Sequence, residues 1–209
     1  MNILIADDHE VVRRGLKAIL FDEFPKIKIG ETSAGRETLE AVRRQAWDAV
    51  LLDINMPGRS GLEVLEEIKQ LRPRTPVLII SAFPEQEYAL RAFKLGAAGY
   101  VSKQSASDEL IAALRKTLAG GRYVTPALAE RMAETMAGEV ATAPHELLSN
   151  REMEVLRLIA MGKTIKEIAS ELALSEKTIG TYRARLSEKM GLSTNVELTR
   201  YALQHHLVD

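Results

Sequence analysis

The 209-residue sequence predicts an α/β domain built on a doubly wound five-stranded parallel sheet, followed by a second domain that is entirely helical. Three observations carry this expectation. Five short β-branched runs alternate with five amphipathic stretches over residues 1–120, strand signals stop after Gly120-Gly121, and three S/T-x-x-E capping boxes punctuate the tail.

The first strand is expected at Asn2–Ala6, with a helical stretch near 10–22. Ile27–Glu31 and 36–46 form the second unit, Ala49–Leu52 and 62–72 the third, Pro76–Ile80 and 85–95 the fourth. Gly99–Val101 and 106–118 complete the series. Right-handed crossovers between parallel strands leave helices on both faces of the sheet. Thr125-Pro126 then reads as an N-cap followed by proline at the first helical position, so a short helix is expected near 126–137. Gly138 to Pro144 has the composition of a flexible tether. Beyond it, the capping boxes Ser149…Glu152, Thr164…Glu167 and Thr194…Glu197, with Ser175 as a further N-cap, start helices near 150, 165, 176 and 195. The expected division is a domain over 1–120, a linker with a short helix over 121–146, and a second domain over 147–209.

Composition narrows the class. An apolar content of 46% supports packed cores. No apolar run approaches the roughly 20 residues of a membrane helix. The N-terminus lacks the basic stretch and cleavage pattern of a signal peptide, and the absence of cysteine excludes disulfides and thiolate metal sites. A cytoplasmic protein with no membrane association fits these features. Net charge is −1, and residues 147–209 carry 9 basic and 8 acidic side chains. Any affinity for nucleic acid must therefore come from where the charges lie.

Ligands of doubly wound sheets bind beyond the carboxyl ends of the strands. That edge collects Asp7 and Asp8 after strand 1, Asp53 after strand 3, Ser81 after strand 4 and Lys103 after strand 5. Three carboxylates on one rim repel one another unless a cation sits among them. Oxygen-only donors point to Mg²⁺. A carboxylate can also attack phosphorus to give an aspartyl phosphate. Asp53, ending the apolar run Ala49–Leu52 at the centre of the sheet, is the best-placed nucleophile, with Lys103 as a second positive charge. The turn Asn55-Met56-Pro57-Gly58 behind it offers a carbonyl to the metal.

In the tail, Ile165, Ile168, Ala169 and Leu172 form one helical face, and Ile179, Tyr182, Leu186 and Met190 form another. Two short helices joined by the tight turn Leu174-Ser175 fit a helix-turn-helix, whose second helix enters the DNA major groove. On helix 176–190 the face away from the core carries Lys177, Gly180, Thr181 and Ala184. Arg183, Arg185 and Lys189 flank it, placed for phosphates.

On these residues, 1–118 resembles a response-regulator receiver domain, a flavodoxin-like fold. The carrying positions are Asp7, Asp8, Asp53, Ser81, Tyr100 and Lys103; Asp-Asp-His-Glu at 7–10 with Arg13, Gly15 and Leu16 resembles the NarL/FixJ branch. The resemblance implies that Asp53 accepts phosphate from a sensor histidine kinase. It implies Mg²⁺ held by Asp8, Asp53 and the Asn55 carbonyl with Asp7 assisting, and Ser81, Lys103 and Tyr100 as the phosphoryl-sensing switch. Lys103-Gln104 departs from the common Lys-Pro, so a trans peptide is expected there. Phe83, two residues past Ser81, is bulky enough to slow water's approach to an acyl phosphate. Residues 147–207 resemble the LuxR-type helix-turn-helix, through Leu148-Ser149-Asn150-Arg151-Glu152, Gly162, Lys166-Glu167-Ile168-Ala169, Leu174 to Ile179 and Lys189-Met190-Gly191-Leu192. This implies double-stranded DNA as partner and a homodimer on an inverted repeat, joined through helix 195–206 by Val196, Leu198, Thr199, Ala202 and Leu203. The expected DNA contacts are Lys166, Lys177, Thr178, Gly180, Thr181, Arg183, Ala184, Arg185 and Lys189. Gly180 stands where many relatives carry a contact residue.

Two other readings stay open on sequence. One is a phosphotransfer enzyme with Asp53 as a turnover nucleophile, against which Asn55 stands where a second carboxylate is expected. The other is an adaptor whose helical tail binds protein. The histidines (His9, His145, His205, His206) show no metal spacing, and Trp47 reads as a packing residue.

Overall fold

Asn2–Ala6 (β1) is short, β-branched and apolar, and it sits inside the sheet with Ile3 to Ala6 fully buried. The computed structural model describes residues 1–57, 59–105, 107–137, 143–205 and 207–208. Five strands, β1, β2 (Lys28–Thr32), β3 (Ala49–Leu52), β4 (Val77–Ser81) and β5 (Gly99–Ser102), pair in parallel in the order 2-1-3-4-5. The strands alternate with α1 (Glu10–Glu23), α2 (Gly35–Arg44), α3 (Gly61–Leu71), α4 (Glu85–Lys94) and α5 (Ser107–Leu118). Boundaries differ from expectation by one or two residues, because a strand end is fixed by its ladder partners and leaves no mark in hydropathy.

Each sheet face has its own core. Leu4, Val50, Leu52 and Ile79 pack with α2, α3 and α4 residues such as Leu39, Leu65 and Tyr88 on one side. Ile3, Leu51 and Leu78 pack with Leu20 and Leu114 of α1 and α5 on the other. The central strands β3 and β4 are buried at every position, as parallel strands covered on both faces must be.

The chain does not leave this unit at Gly120. Tyr123 returns to the sheet through a parallel bridge to Gly99. The Thr125 hydroxyl donates to Glu85 and accepts the Leu128 amide, starting α6 (Pro126–Ala137) as an N-cap should. Leu128 is buried in the core beside α4, and Arg131 donates to the Gln86 carbonyl. The helix expected in the linker is thus a layer of the first compact unit, Met1–Ala137. Of the tether at 138–144, residues 138–142 lie outside the described residues, as do Gly58 and His206.

The second unit is helical throughout: a 3₁₀ turn at Pro144–Leu147, then α7 (Asn150–Ala160), α8 (Ile165–Glu171), α9 (Glu176–Met190) and α10 (Asn195–Gln204). All three capping boxes form, and Ser175 accepts the Thr178 amide. The expected faces close the core: Ile168, Ala169 and Leu172 meet Ile179, Leu186 and Met190. The turn between α8 and α9 places Ala173 at φ 52°, a left-handed conformation that a non-glycine residue adopts only when packing imposes it. No helix of the described residues is long and apolar enough to cross a membrane.

Candidate functional site

Strand register builds the acidic rim. Ala6 pairs with Leu52, and Leu52 with Ile79, so Asp7 and Asp53 emerge side by side while β4 runs on to Ser81. Ser81 pairs with Ser102, which puts Lys103 one residue past the edge. Backbone bonds fix each step: the Asp53 amide donates to Ala6 at 2.8 Å and the Lys103 amide to Ser81 at 2.7 Å.

Asp7 and Asp53 are almost fully buried, and Asp8 stands at the exposed lip. Lys103 reaches back between the two buried acids, with Nζ 2.8 Å from Asp53 Oδ2 and 2.7 Å from Asp7 Oδ2. One ammonium for two buried carboxylates and a third at the lip is an incomplete balance. Burial pushes the Asp53 carboxyl up to about 6, against the hydrogen bond from Lys103 and with Asp7 adding to the rise. Burial pulls the Lys103 ammonium down, but its bonds to Asp53 and Asp7 outweigh that and hold it above the usual lysine range.

Oxygens of Asp7, Asp8 and Asp53 lie within 4.8 Å of one another, together with Nδ1 of His9. This donor set suits a divalent cation: hard oxygen ligands carry more negative charge than the one lysine neutralises. The chemistry of the donors thus fits Mg²⁺. Sequence reading left His9 aside, yet its Nδ1 sits 2.7 Å from Asp8 and 3.3 Å from Asp7, and its amide donates to Asp7 Oδ1. Arg13, part of the NarL/FixJ resemblance, also has a structural role: its Nη1 donates to the Asp7 carbonyl at 2.7 Å, so it braces the residue that follows β1.

Ser81 is fully buried, and its Oγ accepts the Phe83 amide at 3.1 Å. Tyr100 is also buried, and its hydroxyl donates to the Phe83 carbonyl at 2.8 Å. Phe83 in turn stacks on Tyr88 of α4 at 4.9 Å. Ser81, Phe83 and Tyr100 therefore form one linked group running from the rim to α4. The peptide after Lys103 is trans, as expected. Trp47 packs over Gly30, where any Cβ would lie 2.3 Å from its ring, and its indole N–H donates to Ala41.

In the second unit, Lys177, Gly180, Thr181, Ala184 and Arg185 are exposed along α9, and Lys166 is exposed on α8. Thr178 is half-buried and shares its hydroxyl with Ser175. Two of the expected cations have other partners. Arg183 donates to Asn195 Oδ1 at 2.9 Å and to the Ser193 carbonyl, bracing α9 against the start of α10. Lys189 Nζ sits 2.7 Å from the buried carboxylate of Glu152. Burial alone would raise the Glu152 carboxyl, but the bonds from Lys189 and Ser149 outweigh it and hold it below the usual carboxylate range. A depressed carboxylate stabilises the fold above its ordinary pKa, and that stability disappears as pH falls through the depressed value. Glu152→Gln is therefore expected to cost the second unit about 1–2 kcal/mol at neutral pH, the low end for charged hydrogen bonds because Lys189 is partly exposed. Thermal denaturation should show the gap to wild type closing in acid; a gap independent of pH would remove the ion pair as its cause.

Gly180 has nothing within 4 Å of the position of an added Cβ. Gly180→Ala is accordingly expected to stabilise α9 by about 0.5–1 kcal/mol. Denaturant titration checks this, and a loss of stability would contradict the open surroundings. On α10, Leu198 and Ala202 close the unit's own core, whereas Val196 and Leu203 are exposed and line a depression with Ile159 and Thr199. The Tyr201 hydroxyl lies 2.9 Å from His145 Nδ1, and its ring stacks on His205.

A parallel sheet in the order 2-1-3-4-5, an acidic rim answered by one half-buried lysine, and a separate helix-turn-helix unit define a receiver-type regulator. Residues 3–115 match the response regulator receiver domain, and residues 146–202 match the luxR family of bacterial regulatory proteins. The chain belongs to the two-component response regulators of the NarL/FixJ family, a family of transcription regulators rather than enzymes. It is 34% identical over 210 residues to response regulator GacA of Pseudomonas viridiflava, spanning 100% of this chain and 98% of that protein. It is 35% identical over 208 residues to response regulator UvrY of Escherichia coli K12, covering 99% and 95%. Among solved structures it is similar to RcsB of Salmonella enterica serovar Typhimurium bound to promoter rprA with the phosphomimetic BeF₃⁻. That match has 26% identity and a TM-score of 0.63, over 96% of this chain and 97% of that one.

Proposed function

We propose that the protein works in the cytoplasm, that Asp53 accepts a phosphoryl group from a sensor histidine kinase, and that this modification controls DNA binding by the second unit. The observation that carries the reading is the convergence of Lys103 on Asp53 and Asp7 at the end of the central strands. Asp8, Asp53 and the Asn55 carbonyl, with Asp7, would hold Mg²⁺. Bound there, Mg²⁺ supplies positive charge to offset that of the transferring phosphoryl group.

The chain's own groups do the rest. The Asp53 carboxylate attacks phosphorus as the P–N bond to the kinase's phosphohistidine breaks and its imidazole leaves, and Lys103 offers its ammonium to a phosphoryl oxygen. Ser81 donates its hydroxyl to another oxygen, and the movement of Oγ toward that oxygen draws it away from the Phe83 amide, from which it accepts. Phe83 connects that exchange to Tyr100 and to α4, against which α6 is packed, so a charge event at Asp53 reaches the segment leading to the second unit. The proposed division remains a receiver over 1–120, a linker over 121–146 and a DNA-binding domain over 147–209, with the linker's helix seated on the receiver.

On DNA, the exposed face of α9 (Lys177, Gly180, Thr181, Ala184 and Arg185) enters the major groove. Lys166 and Thr178 approach it, and Arg183 and Lys189 serve phosphates once released from their internal partners. Two copies on an inverted repeat meet through the exposed Val196 and Leu203 with the half-buried Thr199. RcsB, solved as two dimers bound to two parallel DNAs, supports a dimer as the DNA-bound form. Selection from a random duplex library, with and without a phosphoryl analogue and Mg²⁺, tests the reading. An inverted repeat enriched more strongly with the analogue is expected. No enrichment in either state, with Asp53 still modified, would overturn the DNA-binding role.

A further inference from the structure

The end of the receiver sheet opposite Asp53 carries a second concentration of charge that phosphoacceptor chemistry does not use. A depression of about 470 Å³ opens there, near the starts of β4 and β5 and the Gly120-Gly121 turn after α5. Its volume falls within the range of small-molecule sites. Lys69, Arg74 and Arg122 line it. Gly120, at φ 83°, makes the left-handed turn that leads into Arg122.

Among the described residues these three cations outnumber the acids of the lining, of which Asp48 is the only one. Lys69 is half-buried, and its ammonium donates to the carbonyls of Thr75 at 2.8 Å and Pro73 at 3.4 Å. Carbonyls fix its position without neutralising it. Among the described residues, no ion pair joins Lys69, Arg74 or Arg122 to a carboxylate. The acid at the rim, Asp48, is held by the Asn2 amide at 2.6 Å and keeps its charge, so the lining carries three cations against one carboxylate. Burial, and after it repulsion from Arg122, holds the Lys69 ammonium below the usual lysine range. Cations gathered around a cavity against their own repulsion are relieved by an anion, and a single negative charge would leave most of that repulsion in place. The forked guanidinium groups of Arg74 and Arg122 suit phosphoryl oxygens.

We propose that this depression binds a small molecule bearing a diphosphate group, at a site separate from the Asp53 centre. Ala98, in its wall, accepts the Tyr123 amide just before α6, so occupancy would brace the segment that leads out of the receiver.

The chain's single tryptophan, Trp47, lines the depression and reports on it. The full chain, free of divalent cations, is titrated with inorganic pyrophosphate and separately with a nucleoside diphosphate. Indole fluorescence is the first readout, and titration calorimetry detects binding that leaves the indole unchanged. Saturable binding is expected, weakened about tenfold or more in the Arg74→Gln/Arg122→Gln double variant and unchanged in Asp53→Asn. Equal affinity for the two ligands would mean that the diphosphate alone is recognised, whereas tighter nucleotide binding would add contacts from the nucleoside. No saturable binding by either method, unchanged affinity in the double variant, or loss in Asp53→Asn would each overturn the site. Competition by duplex DNA, with matching loss of duplex affinity in the double variant, would reassign the surface to DNA phosphates and refute the small-molecule ligand.

Discussion

Asparagine in place of Asp53 is expected to abolish acyl-phosphate formation while making the metal-free receiver more stable. The first effect follows from chemistry: the amide offers no anionic oxygen to phosphorus, and neither Asp7 nor Asp8 ends the central strand. The second follows from burial. The folded protein holds the Asp53 carboxyl at about 6 against an ordinary value of 3.8. At 1.36 kcal/mol per pH unit, keeping that group ionised at neutral pH costs the fold about 3 kcal/mol. A carboxyl with a raised folded pKa binds its proton more tightly in the folded state. Its stabilising protonation is complete below about 4 and lost as pH rises through 6. Wild type without divalent cations should therefore gain on the variant as pH falls from 7 toward 4. Thermal denaturation across that range, with phosphoryl labelling at neutral pH, checks both effects. Undiminished labelling of Asp53→Asn would remove Asp53 from its role, and parallel melting curves would contradict the burial argument.

Gly61→Ala is expected to damage the same site without touching any charged group. A Cβ at position 61 would stand 1.9 Å from the Asp53 carbonyl oxygen and 2.7 Å from Ile54 Cα. Both are backbone atoms, so no side chain can swing aside. The Gly61 amide also donates to the Ile54 carbonyl at 2.8 Å, which seats the first turn of α3 directly on the end of β3. An alanine must push α3 or the Asp53–Ile54 segment outward, at a cost of about 1–3 kcal/mol or more for overpacking. Displacement of Asp53 relative to Lys103 should slow phosphorylation by a small-molecule phosphodonor by at least about tenfold, as small misplacements of reacting groups do. Stability and phosphorylation rate equal to wild type would show that the helix can shift freely. Gly180, open on all sides, is the internal contrast: the same substitution there is expected to stabilise.

Much of the fold and site was legible because it rests on local chemistry. Capping boxes are read within four residues, and each of the three forms where the sequence places it. The acid rim was legible because sheet topology brings strand ends to one edge whatever lies between them. Gly61 escaped notice because its requirement is set by a backbone eight residues earlier, with no signal in composition. Glu152 was read correctly as a cap, yet its ion pair with Lys189, 37 positions away, has no local trace. That pairing is why a basic face on α9 reads as wholly DNA-directed in sequence, while the folded unit engages Arg183 and Lys189 internally.

The sequence by itself determined the α/β unit followed by the helical unit, the positions of the helix starts and the strand ends at which Asp7, Asp53 and Lys103 meet. Periodicity, caps and strand-end residues are properties of short segments, and short segments are what a linear reading resolves. Only the tertiary structure decided that α6 packs on the receiver core, that Tyr100 is buried against Phe83, and that Asp53 is held near a pKa of 6. It also decided that Lys69, Arg74 and Arg122 gather at the far end of the sheet. Each of these depends on which distant surfaces meet and on how much water they exclude. Burial and charge proximity are set by the closed fold, so they acquire values only once it has formed.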